Sequence, residues 1–162
     1  MSRPQDRGRT EEVSLEVAAG YLLEECRMVL PGIQALFGFQ LIAVFSETFA
    51  SLGAAQQRLH LGAIVLVVVA VALVMAPAAL HRQVQPQKVS ERFVRLASRL
   101  LLASMFPMVA GICLDAYVVA SVITGRADAG IAVSLFLLAV FALLWFVLPQ
   151  RERYRGMAGD DR

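Results

Sequence analysis

The chain reads as an all-α membrane protein: a four-transmembrane-helix bundle with an N-terminal amphipathic interfacial helix and both termini in the cytoplasm. Three observations predict it. Of 162 residues, 58% are hydrophobic and the mean hydropathy is +0.65. A soluble domain with that balance would expose too much apolar surface. Four runs with little or no charge recur along the chain, each near the ~20 residues a helix needs to cross a bilayer. The basic residues are also unevenly placed. Thirteen of the fifteen Lys and Arg residues fall in the N-terminal segment, the middle loop with its flanks, and the C-terminal tail. Only Arg58 and Arg126 fall in the other two connections. Positive-inside bias then puts the termini and the middle loop in the cytoplasm.

In chain order, residues 1–10 are polar and expected to be disordered. No apolar run follows the early arginines, so they do not read as a secretory signal. Thr10 is a candidate helix cap, with Glu11 and Glu12 placed to favour the helix dipole. Leu15, Ala18, Ala19, Leu22 and Cys26 recur at helical spacing. They predict an amphipathic helix over 11–26 on the membrane surface, or one that runs straight into the first span with a kink at Pro31. The spans are predicted at about 28–49, 59–80, 96–123 and 130–149, within a single membrane domain of residues 11–150. Residues 151–162 form a basic, polar tail.

The first span is uncharged from Met28 to Ser46 yet holds Pro31, Gly32, Gln34, Gly38 and Gln40, and it ends on Glu47. A plain anchor needs none of these. Amides and acids at membrane depth face other helices or a water-filled path. The second span centres on AIVLVVVAVALVMA and ends near Pro77. A short polar connection follows, and Ser90 with Glu91 is set to cap the next helix. The third span is interrupted only by Asp115, and the fourth is almost purely apolar from Leu135 to Leu148.

Helical spacing puts Gln40 and Glu47 on one face of span one, and Ser104, Met108, Gly111 and Asp115 on one face of span three. These predict a polar seam between spans one and three, with spans two and four as the outer wall. Asp115 is the sharpest signal, because a charge at mid-membrane costs about 2.5–3.5 kcal/mol on insertion scales. An acid there either relays protons or binds a cation, or it fixes packing through a hydrogen bond. Pro31, Gly32, Gln34, Gly38, Pro77 and Gly111 read as packing and motif positions. Glu24, Glu25 and Arg27 lie level with Arg82, Arg95 and Arg99, which predicts an ion pair among them.

His60 and His81 sit one at each end of span two, about 30 Å apart at ~1.5 Å per residue. They cannot share a metal, and each reads as an interfacial residue. Cys26 and Cys113 belong to no CxxC or Cys/His cluster. No GxSxG, Walker or HExxH pattern occurs. The sequence therefore points to no enzyme, no cofactor, no metal and no nucleic acid. Its expected partners are membrane lipids, further copies of the chain, and a monovalent cation or proton.

The stretch ECRMVLPGIQALFGFQ, with Glu25, Arg27, Pro31, Gly32, Gln34, Leu36, Phe37, Gly38 and Phe39, resembles a family of short four-span bacterial membrane proteins with a domain of unknown function. Ala76, Pro77, Ala78, Ala79, His81 and Arg82 carry the resemblance further. It is most familiar from actinobacteria. It implies the fold and a plasma-membrane location, and supplies no accepted activity. Some relatives carry a sodium/proton antiporter label. The combined expectation is a small cation- or proton-linked transport component acting as an oligomer. The alternative is a structural or regulatory protein that binds partner helices.

Overall fold

Heptad spacing of buried residues organises the molecule. In a computed structural model, which describes residues 15–84 and 90–151, the helices are α1 (Leu15–Val44), the single turn α2 (Glu47–Ala50), α3 (Ala54–Val84), α4 (Glu91–Thr124) and α5 (Ala127–Ala142). A π turn over Leu143–Val147 extends α5 toward Arg151. The four long helices are each long and apolar enough to cross a membrane. Expected features at 1–14, 85–89 and 152–162 lie outside the described residues.

On α3, His60, Ala63, Val67, Ala70, Val74 and Pro77 are buried at alternating steps of three and four residues. On α1 the buried positions are Ala19, Cys26, Ile33 and Gln40, each seven apart. On α4, Ala97, Ser104, Gly111 and Val118 repeat the same step. Such spacing holds one face toward a neighbour over several turns and gives shallow, coiled-coil-like crossings. The resulting core joins Cys26 and Ile33 of α1 to Val67 and Val74 of α3, with Leu101 and Met108 of α4 packed against it.

Small residues set how closely the helices approach. A Cβ on Gly111 would lie 3.1 Å from the Ala63 carbonyl oxygen and 3.1 Å from Val67 Cγ2, so the α4 backbone there lies against both backbone and side chain of α3. A Cβ on Gly130 would lie 2.7 Å from the Tyr117 carbonyl oxygen, which fixes α5 against α4. α3 and α4 form the most extensive pair, α1 crosses both, and α5 rests on α4.

Three expectations are corrected. Of the two readings of the segment before span one, the separate surface helix gives way to the continuous one: α1 is unbroken to Val44, and Ala19 and Cys26 lie on the same buried seam as Ile33. Pro31 removes one backbone bond without ending the helix. Span two is no outer wall. It is as well buried as α4, with Ala63, Val67 and Ala70 at 0% exposure, while α5 buries Gly130 alone. Slim Ala and Val side chains along one seam let α3 pack closely on α4, the helix that touches all the other long helices. The third correction concerns the acids of α1. Glu24 and Glu25 pair with no arginine among the described residues, and Arg95 is engaged one turn back by Glu91 at 2.9 Å. As expected, Ser90 caps α4, accepting from Phe93 N at 3.2 Å.

Candidate functional site: a three-helix polar cluster at membrane depth

Three heptad seams each carry a polar residue at one level. Gln40 is the last buried position of α1, four residues before the helix ends. His60 is the first of α3, six residues after it begins. The short connection 45–53 folds the two helices back so that these positions meet. Asp115 continues the Leu101–Met108 register of α4 one heptad further. All three lie toward the end that holds Arg58 and Arg126, away from the arginine-rich end of α4.

The side chains form one hydrogen-bonded cluster. Gln40 Nε2 donates to Asp115 Oδ2 at 2.5 Å. His60 Nδ1 lies 2.9 Å from Asp115 Oδ1, and His60 Nε2 lies 3.0 Å from the backbone carbonyl oxygen of Gln40. Gln40 is 3% exposed and His60 7%, and the Asp115 side chain is 16% exposed. A carbonyl oxygen only accepts, so Nε2 must carry a proton. The Nδ1–Oδ1 contact then holds one more proton, on either the imidazole or the carboxyl. In both arrangements His60 and Asp115 together are neutral, which removes most of the cost of an isolated charge at that depth. The net-neutral pair is thus the form that the surrounding apolar helices favour.

Gln40 completes the cluster in a particular way. Its Oε1 is buried and has no hydrogen-bond partner among the described residues. An amide presents NH₂ to a carboxylate, or after a half-turn its C=O to a carboxylic acid. Gln40 can therefore keep its bond to Asp115 whether or not Oδ2 carries a proton.

The α2 turn covers the cluster. The Phe49 ring meets the His60 ring edge-to-face at 5.3 Å, and Gln57 Nε2 donates to the Phe49 carbonyl at 3.1 Å, tying α2 to α3. His60 also lines two hollows beside Phe49. One contains Gln57 and Arg58, and the other Ser46 and Thr48.

Of the predicted site residues, Gln40 and Asp115 are brought together and Glu47 is not. Ser46 accepts from Phe49 N at 3.1 Å and donates to the Ala43 carbonyl at 2.8 Å. That local capping ends the span early, so Glu47 begins α2 in an exposed position. Helical spacing from Gln40 cannot be carried through the break. His60 is the residue that sequence reasoning set aside. The signal for it was present: His60 opens the slim Ala63–Val67–Ala70–Val74 seam, and the short connection places it level with Gln40. His81 lies at the far end of α3, its ring 5.5 Å from that of Phe93. Cys26 and Cys113 are free and buried.

Of the motif positions, Pro77 and Gly111 are buried between helices, whereas Pro31, Gly32 and Gln34 are exposed on the outer face of α1. Nothing lies within 4 Å of a Cβ built on Gly32 or Gly38. Comparison with curated proteins and with solved structures finds no match. Residues 9–149, nearly the whole chain, match a family described only as one of unknown function, and the protein belongs to that family, DUF6328.

Proposed function

We propose that this membrane protein is a small proton- or cation-linked transport component that acts as an oligomer, with Asp115, His60 and Gln40 as its proton-exchanging site. The carrying observation is the His60–Asp115 pair, held between three helices and sharing one proton, beside an amide that can face either form of the carboxyl. Intramembrane ionisable residues that face the bundle interior mark proton and ion pathways. The hollows beside Phe49 offer a route from the pair to the nearer membrane surface. In this reading the membrane is a bacterial plasma membrane and the site lies in its outer half, with cytoplasmic termini, the orientation that the arginine distribution supports. The role is transport rather than catalysis.

The oligomer is supported by the outer face of α1. Gln34 is exposed there and makes no hydrogen bond among the described residues, beside glycines whose missing side chains no helix of the same chain requires. Small residues and an amide on one face are what packed membrane helices use. The same face also favours the second reading, a structural or regulatory protein that binds partner helices.

Proteoliposomes separate the two. The wild-type chain is expected to dissipate a pH gradient in a manner that depends on a monovalent cation. Asp115→Asn and His60→Gln should assemble normally yet lose roughly a hundredfold or more of that flux, the usual scale for removing a positioned proton-transfer group. Wild-type vesicles without such flux for any monovalent cation would remove the transport reading and leave the structural one.

A further inference from the structure

The end of the molecule opposite the polar cluster holds a second feature. α1 and α5 both rest on α4 without substantial contact with each other. The groove left between them has a cavity of about 490 Å³, within the ~300–1,000 Å³ of small-molecule sites. Its lining residues run along α4 from Ser98 to Met108, a length of about 15 Å at ~1.5 Å per residue.

We propose that this groove binds a lipophilic cation, a compact apolar body with a single delocalised or quaternary positive charge. Its walls are apolar and adaptable: Leu22 and Val29 of α1 face Met105 and Met108 of α4, and unbranched Met side chains re-pack around varied shapes. Trp145 closes the α5 side, and an indole face is the strongest aromatic partner for a cation. Trp145 belongs to the π turn Leu143–Val147. Such a turn re-aims the side chains that follow it and recurs at functional sites.

The sign of the ligand charge comes from Glu25. Among the described residues it is the only charged one in the lining, and it has no hydrogen bond or ion pair there. The two serines of the lining are already engaged, Ser98 with the Val94 carbonyl and Ser104 with the Leu101 carbonyl. One unpaired carboxylate beside an indole and two thioethers attracts a soft cation and repels an anionic amphiphile of equal hydrophobicity. The groove shares no lining residue with the Gln40–His60–Asp115 cluster, so the two sites stand or fall separately.

Trp145 is the single tryptophan of the chain, so its fluorescence reports on the groove without labelling. The full chain in phosphatidylcholine nanodiscs is titrated with tetraphenylphosphonium, and with tetraphenylborate as the isostere of opposite charge. Saturable quenching by the phosphonium alone is expected. Glu25→Gln should weaken it roughly tenfold, with the helical circular dichroism unchanged. Equal responses to both ions would mean a groove filled indifferently by apolar groups, and would overturn the proposal. So would a non-saturating signal that scales with lipid, or an unchanged affinity in Glu25→Gln. Equilibrium dialysis of radiolabelled tetraphenylphosphonium gives the same comparison without fluorescence, and lets Trp145→Phe be tested for a loss of affinity.

Discussion

His60 shows how a single hydrogen bond fixes the place of one proton. Its Nε2 faces a backbone carbonyl 3.0 Å away, and no neutral tautomer with a bare Nε2 satisfies that contact. Nitrogen NMR on histidine-labelled protein, with His81→Gln to leave one histidine, should therefore find His60 Nε2 protonated at neutral pH. A bare Nε2 at neutral pH would rule out the cluster as described. Asp115 and Gln40 were legible in the sequence because polar groups inside apolar runs are conspicuous. His60 was not, because it stands where an apolar run begins, and there a histidine is ordinary. Only the fold-back at 45–53 turns that edge position into an interior one. Glu47 failed for the converse reason: Ser46 bonds locally to its own backbone and ends the periodicity that made Glu47 look like a site residue.

Helices of similar composition play different parts, and the glycines distinguish them. Gly111 and Gly130 lie where a neighbouring helix leaves no room for a methyl group, whereas Gly20, Gly32 and Gly38 face open space within the chain. Gly130→Ala should thus destabilise the protein by about 1–3 kcal/mol, the usual cost of overpacking. Gly20→Ala should be neutral or stabilise α1 by up to ~1 kcal/mol through helix propensity. Thermal unfolding in detergent measures both. A Gly32→Ala variant that keeps its monomer stability but loses its oligomer would locate the α1 contact. The number and order of the long helices were readable from hydropathy. Which of them is central was not, because hydropathy treats a slim apolar side chain and a bulky one alike. The centre is α4, which touches all three other long helices and carries Asp115, and the slim Ala and Val seam of α3 is what lets those two pack most extensively.

At the scale of the whole molecule, arginine placement makes the two ends unequal. If the termini are cytoplasmic, a cysteine introduced at Ala55 should react with an impermeant thiol reagent in intact cells, and one at Gln87 should not; the two native cysteines are free and buried and so should contribute little background. The reverse pattern would invert the bundle and move the polar cluster to the inner leaflet. The same asymmetry separates the two candidate sites, one near each face, joined by the buried face of α4.

The way α5 rests on α4 bears on how the protein is made. Gln40, His60 and Asp115 all precede Gly125, whose left-handed backbone (φ 66°) ends α4 and turns the chain toward α5. During synthesis the polar cluster can therefore close as soon as the third long helix has entered the bilayer, while α5 is still emerging from the ribosome. An unpaired carboxylate need not wait in lipid for a partner made later: its histidine and amide are already in place when it arrives.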